Sequence, residues 1–135
     1  MKIWQGAAGL CINDRNEILM VLQGKPDEEK TWSIPSGQKN PHETFEECCV
    51  REVFEETGYQ VEVLEEIFVK HTEIDDWVLE VRYFHTKWLG GERKIQDPDE
   101  LIYDIAWKTA DEIKGLMLTY PEDLNLFMSS LQKRR

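Results

Sequence analysis

The sequence predicts an α/β sandwich in which a mixed β-sheet is covered by helices on both sides. Three observations carry that expectation. Strand-like runs, one helix, further strands and then two helices follow one another along the chain. The first helix is bracketed by its own start and stop signals, Thr44 with Glu47 three residues later and Gly58 at the end. The run from Trp77 to Leu89 alternates apolar and polar residues at the period of a strand with one face packed.

The elements follow in order. Ile3 to Ile12 reads as a strand, with Gly6 and Gly9 marking bends or close backbone approach. Asn13-Asp14-Arg15-Asn16 is a turn and Glu17 to Leu22 a second strand, so a hairpin is expected. Gly24 to Lys30 is a charged loop, and Trp32 to Pro35 a short extended piece leading into a turn at Ser36-Gly37. The helix begins near Phe45. After it, Gln60 to His71 and Trp77 to Leu89 are strands, and Gly90-Gly91 ends the second. Asp97 to Glu100 forms an acidic loop and Tyr103 to Trp107 a last strand. Thr109 caps a short helix to Leu116, and a final helix runs from about Pro121 to Gln132.

At 135 residues, with no internal repeat or linker, residues 1–135 are expected to form one domain with a real core. Acidic residues outnumber basic ones 27 to 16, a net charge of −11. Binding a long nucleic acid through its phosphates needs basic surface, so that class of partner is disfavoured. A small polyphosphate remains open, because divalent ions carry positive charge into an acidic site. Cys11, Cys48 and Cys49 form an odd set with no CxxC, which points to free buried thiols in a reducing compartment. No signal peptide precedes the first strand and no apolar run approaches the length of a membrane span, so a soluble cytoplasmic protein is expected. A homodimer is compatible with the sequence but not required by it.

Residues 37 to 59 carry the chemistry. Gly37, Glu43, Arg51, Glu52, Val53, Glu55, Glu56, Gly58 and Tyr59 follow the spacing G-x5-E-x7-R-E-U-x-E-E-x-G-U, U being bulky and apolar. On the helix, Glu52 lies three residues from Glu55 and four from Glu56, so the three carboxylates share one arc. Like charges at such spacings destabilise a helix by roughly 0.2–0.5 kcal/mol per pair, which asks for a compensating cation. Carboxylate oxygens without Cys or His suit a hard ion, Mg²⁺ or Mn²⁺. Phe45, Cys49 and Val53 form an apolar stripe beside the arc, extended by Val50 and Phe54, so Glu52 and Glu56 sit at the edge of a packed face and not far out in water.

This pattern resembles the Nudix box, the signature of hydrolases that split a diphosphate linked to another moiety, and the likeness reaches Ala7–Leu10, Ile18–Leu22, Trp32–Pro35 and Ile105–Trp107. The resemblance implies a Nudix-type α/β/α sandwich and a metal-dependent pyrophosphohydrolase. It implies that Glu55 and Glu56 bind metal, that Glu52 ligates metal or helps activate water, and that Arg51 orients a helix carboxylate. It also implies that Gly37 offers a backbone carbonyl or close approach and that Glu43 supports the loop–helix junction. A later-loop acid acts as general base in many relatives; Glu100 is the candidate here, with Asp97 and Asp99 as competitors.

The chain departs from the family pattern where Ser36 replaces a common Gly, where Asn40 and His42 replace Glu and Gly, and at Tyr59, an aromatic in an aliphatic position. None of these removes a metal ligand. Substrate markers are thinner. The segment Leu118–Asp123 resembles the stretch of oxidised-purine triphosphate hydrolases in which a residue beside a proline reads the base edge, giving Asp123 as reader and Tyr120 as a stacking wall. Trp77 is a further stacking candidate. The substrate is accordingly expected to be a small nucleotide, with (deoxy)nucleoside triphosphates leading and nucleotide sugars or dinucleoside polyphosphates as alternatives. The competing class is a nucleotide-sensing domain without turnover, which commonly loses box glutamates that this chain keeps.

Overall fold

In the computed structural model, which describes residues 2–133, the Ala- and Gly-rich first strand, β1 (Lys2–Cys11), lies inside a four-stranded sheet. Its neighbours are β4 (Ser36–Gln38), antiparallel, and β6 (Trp77–Gly91), parallel, and β5 (Tyr59–Ile74) pairs antiparallel with β6 at the edge. The order β4-β1-β6-β5 with one parallel pair makes this sheet mixed, as the sequence predicts. A second, antiparallel sheet has the order β3-β2-β7, from β3 (Thr31–Ser33), β2 (Ile18–Gln23) and β7 (Ile102–Lys108).

Two sequence expectations are corrected here. The expected hairpin between the first two strands exists only at its base, where Asn13–Asn16 turns and Ile12 bridges Ile18. Beyond that bridge the strands part into different sheets, because β2 takes β3 and β7 as its hydrogen-bonding partners. Ser36-Gly37 is not a turn; it belongs to β4 and pairs with Ala8 and Ala7.

β1 and β2 are buried on both faces, and their alternate residues feed two cores. Ala7, Cys11, Leu19 and Val21 pack with Cys48, Cys49 and Val53 of helix α1 (Phe45–Thr57). Ala8, Leu10, Ile18 and Met20 pack with Ile113 of α2 (Ala110–Lys114) and with Phe127 and Leu131 of α3 (Leu124–Lys133). Helices therefore cover the strands from both sides, the α/β/α arrangement. Burying a side chain such as Val53, fully inaccessible here, contributes about 1.5–3 kcal/mol. Phe54 departs from the expected stripe: it is 38% exposed, while Val50 packs only partly against the core.

Helix α1 is fixed at both ends as its sequence signals require. The Thr44 side chain accepts from the Glu47 amide and the Glu47 carboxylate accepts from the Thr44 amide. At the other end Gly58 adopts φ 80°, a left-handed conformation that favours glycine, and its amide bonds to the Phe54 carbonyl. Against β1 the helix comes so close that a Cβ at Gly9 would stand 2.7 Å from a Val53 methyl. That close approach seats the carboxylate-bearing turns of α1 beside β4. Among the described residues no helix is long and apolar enough to cross a membrane.

Candidate active site

One cleft of about 430 Å³ gathers residues from four parts of the chain: Gln23 of β2, Ser36, Gly37 and Gln38 of β4, Arg51, Glu52, Glu55 and Glu56 of α1, and Asp97 and Asp99 of the acidic loop. Glu56 is its most buried acid, 5% exposed. Burial first, and then the neighbouring Glu52 carboxylate, hold the Glu56 carboxyl well above the usual carboxylate range, against an opposing hydrogen bond from the Ser36 backbone. Burial also raises Glu52. Gly37 is needed for this packing. A Cβ there would lie 2.2 Å from the Glu52 carboxyl carbon, so only glycine admits that side chain against β4.

Arg51 is the hub of the cleft wall. Its Nε and Nη2 donate to the two Glu43 oxygens at 3.0 and 2.6 Å, and Nη2 also donates to the Gln38 carbonyl at 2.9 Å. Nη1 donates to Glu52 at 2.9 Å and to Glu55 at 3.2 Å. The Arg51 hydrogen bond holds the Glu43 carboxyl below its ordinary range. Glu43 in turn accepts from the Asn40 amide at 2.8 Å, which ties the 39–43 loop to the helix.

The donor set is all oxygen, and a buried carboxyl facing a second one suits a hard divalent cation. It is not fully arranged for one: among the described residues no three His, Cys, Asp or Glu side chains converge on one point. Arg51 accounts for this, since it draws Glu52 and Glu55 onto a single guanidinium nitrogen.

The acidic loop is held to the helix by backbone bonds. The amides of Lys94 and Gln96 donate to the carbonyls of Thr57 and Glu55. Asp97 then folds the loop on itself, accepting from the amides of Asp99, Leu101 and Ile102. Glu100 adopts φ 56° in that turn and is exposed, outside the cleft lining, whereas Asp97 and Asp99 line it. The expected general base therefore does not join the other carboxylates, and its two competitors do.

Ser36 and Gly37 also line a second cavity of about 450 Å³. Its walls are largely aromatic and aliphatic, with Trp4, Ile74, Leu79, Val81, Tyr83 and Tyr120, and two charged residues, Lys70 and Glu122, sit among them. Tyr120, expected as a stacking wall, is one of these lining residues. Asp123 does not face this space. It is 4% exposed, accepts from the Tyr83 hydroxyl at 2.8 Å, and pairs with Lys70 at 3.1 Å. Lys70 also donates to Glu122 at 3.0 Å and lies 4.5 Å from the Tyr120 ring centroid. Burial alone would lower the Lys70 ammonium, but Tyr83 first, and then Glu122 and Asp123, outweigh it and raise the group above its ordinary value. Trp77 lines a separate shallow depression with Trp4, Ile74 and Leu79, adjoining the cavity but not within it.

Sequence reasoning passed over Trp4, Lys70 and Gln23. The signals were weak: one tryptophan in a strand, one lysine in an alternating run and one glutamine at a strand end, each brought to a cavity wall only by its neighbours across the sheets.

The comparison with known proteins decides the family. The family model described as the NUDIX domain matches residues 3–128. The chain belongs to the Nudix family. It is 31% identical over 132 residues to a Bacillus subtilis (strain 168) protein provisionally named an 8-oxo-dGTP diphosphatase, an alignment covering 97% of this chain and 76% of the relative. It is 32% identical over 103 residues to a Caenorhabditis elegans protein provisionally named nudix hydrolase 1, covering 76% of this chain but only 27% of that longer protein. Among solved structures, a Nudix hydrolase from Nitrosomonas europaea superposes with a TM-score of 0.83 at 22% identity, covering 98% of this chain and 90% of the other. The fold of this chain is thus the Nudix fold, and the residues 37–59 lie within the matched segment.

Proposed function

We propose that this chain is a Mg²⁺- or Mn²⁺-dependent pyrophosphohydrolase of small nucleotides. The leading case is cleavage of a (deoxy)nucleoside triphosphate, oxidised purines included, to the monophosphate and pyrophosphate. One observation carries the reading: the carboxylate cleft and the aromatic cavity meet at Ser36 and Gly37, so a diphosphate and the organic group attached to it have adjoining compartments. The B. subtilis relative's name supports the oxidised-purine case.

Glu52, Glu55 and Glu56 would hold the ion, with the Gly37 backbone close by. When bound, the ion supplies positive charge to the phosphate oxygens and lowers the pKa of a coordinated water. The chain's own residues do the rest. Trp4 and Tyr120 flank the base, and Glu122, the exposed carboxylate of the cavity wall, accepts from its N–H edge while Asp123 fixes Lys70 and Tyr83 behind it. Asp97 is committed to backbone amides, so Asp99 is the better candidate for taking the proton of the attacking water, in place of Glu100. The three free cysteines fit a reducing, cytoplasmic setting.

A second reading, a substrate carrying a larger group such as a nucleotide sugar or a dinucleoside polyphosphate, draws on the depression that continues past Trp4 to Trp77. The test is incubation with Mg²⁺ and a panel of nucleoside triphosphates, oxidised purine triphosphates, nucleotide sugars, ADP-ribose and dinucleoside polyphosphates, with chromatography of the products and Glu52→Gln as control. Turnover confined to triphosphates and lost in the control supports the leading case. Turnover confined to the larger substrates supports the second, and silence across the panel with intact ion binding favours a nucleotide sensor.

A further inference from the structure

The backbone and the side chain of Ser36 serve different parts of the molecule. In the sheet, Ser36 of β4 stands opposite Ala8, and across the other edge of β1 Ala8 stands opposite Tyr83 of β6. Residues paired in this way share a face, so Ser36, Ala8 and Tyr83 form one row. Side chains alternate along a strand, and a Cβ at the neighbouring Gly37 would run into Glu52 of α1. The Ser36 side chain therefore leaves the face opposite α1, the one on which Ala8 and Tyr83 join the core shared with α2 and α3. Tyr83 and Ser36 both line the aromatic cavity, and Ser36 lines the carboxylate cleft as well. Close by, a Cβ at Gly6 would lie 2.6 Å from the Trp4 ring, so the indole rests directly against the backbone of β1.

The Ser36 backbone is already committed, since it hydrogen-bonds the Glu56 carboxylate. Its hydroxyl is not. Among the described residues no protein group is hydrogen-bonded to it, and it is not sealed away from a ligand, because Ser36 is only half-buried. A serine hydroxyl donates one hydrogen bond and accepts two, the same capacity as a sugar hydroxyl. In a nucleotide, the pentose joins the base to the phosphates. With the base beside Trp4 and Tyr120 and the diphosphate beside Glu52 and Glu56, the pentose has to pass Ser36.

We propose that the Ser36 hydroxyl is a specificity-determining contact that hydrogen-bonds a hydroxyl of the substrate's pentose. This rests on the reading of the two compartments as the diphosphate and base sites. One residue then ties the sugar to the catalytic wall, because the same Ser36 whose backbone holds Glu56 sets where the pentose lies. A glycine at this position would keep the bond to Glu56 and lose the sugar contact.

The test measures binding and needs no turnover. Calorimetry in saturating Mg²⁺ compares guanosine 5′-monophosphate with its 2′-deoxy, 3′-deoxy and 2′,3′-dideoxy counterparts, on the parent protein, Ser36→Ala and Ser36→Gly. The use of two variants keeps the outcome independent of how well either one folds. The parent should bind about three- to tenfold more weakly when the contacted hydroxyl is missing, the worth of one neutral hydrogen bond. The single-deoxy nucleotide that shows the loss identifies the 2′- or the 3′-hydroxyl. Both variants should bind all four nucleotides as the parent binds the dideoxy form. A parent that binds the four alike overturns the proposal, as do variants that keep the parent's preference or that weaken on all four by the same factor. So does a parent that binds no monophosphate. The expected pattern in a protein that cleaves nothing in the substrate panel would establish the pentose contact while removing the hydrolase reading.

Discussion

Gly37 and Glu52 are packed so tightly that a single methyl at position 37 would come within 2.2 Å of the Glu52 carboxyl carbon. Gly37 is not in a left-handed conformation, so the requirement for glycine is one of space and not of backbone freedom. Gly37→Ala should displace the Glu52 carboxylate from its place in the cleft at less than about 1 kcal/mol of stability, because the atoms in the way are the end of a flexible side chain. Turnover should fall by more than that loss of folded protein explains. Thermal melts and initial rates on one preparation check this, and unchanged rates would show that Glu52 does not act from its observed position.

Glu55 sits on the same arc at the cleft wall, bonded to Arg51 Nη1. Glu55→Gln should leave circular dichroism and melting close to the parent values and lower turnover by about 10²-fold or more, since the ion that would neutralise the phosphate oxygens loses one of its carboxylate ligands. Retained turnover would remove Glu55 from the set of metal ligands.

Glu56 gives a pH dependence whose sign follows from its environment. Its carboxyl is held well above the ordinary value of 4.5 by burial and by Glu52, so the folded state binds a proton that the unfolded state has released. Stability contributed by that proton is complete below about pH 4.5 and is lost as pH rises through the folded-state value. Denaturation in the presence of a chelator, from pH 5 to 8, should show the parent protein losing stability relative to Glu56→Gln. Saturating Mn²⁺ should stabilise the parent and not the variant. A parent-to-variant difference that does not change with pH would contradict the assignment.

Cys48 and Cys49 are fully buried, and burial pushes each thiol up to about 12. At pH 8 both should resist alkylation by iodoacetamide for as long as the protein stays folded, and react at once in guanidinium. Mass spectrometry of timed samples reads the outcome. Rapid labelling of either in the native protein would mean that α1 opens locally.

Lys70 pairs with buried Asp123 and bridges to Glu122 across the mouth of the aromatic cavity. Lys70→Met keeps the apolar stem but leaves Asp123 with the Tyr83 hydroxyl and no cation. The expected loss of stability is about 3 kcal/mol, the scale for an uncompensated buried charge. Lys70→Met/Asp123→Asn should recover much of it. Denaturant midpoints of the single and double variants measure the coupling.

Local signals in the sequence were sufficient for α1, because its cap, its stop and its carboxylates all lie within residues 44–58 and need no distant partner to act. The mixed sheet and the helices on both faces follow from element order in the same way. What escaped depends on pairing over distance. The first two strands look like a hairpin because periodicity marks a strand without naming its neighbour, and β2 in fact pairs with β3 and β7. Asp123 looks like a base reader because nothing nearby reveals Tyr83, forty residues earlier, donating to it. Glu100 looks like the loop acid until Asp97 is seen gathering three amides and turning the chain so that Asp99 lines the cleft instead.

The bonds from Lys94 and Gln96 to the last carbonyls of α1 have a consequence for how such a site diversifies. They measure off the distance from the helix end to residue 97 like notches on a ruler. An insertion or deletion between Gly91 and Gln96 slips the notch and carries every later acid out of reach. Beyond residue 97 the Asp97 carboxylate is itself the gauge, since its bonds to the amides of Asp99, Leu101 and Ile102 fix the length of the turn and leave only the exposed side chains of residues 98–100 free to change. The identity of the acid beside the helix can therefore change at residues 98–100 while the carboxylates of α1 stay in place.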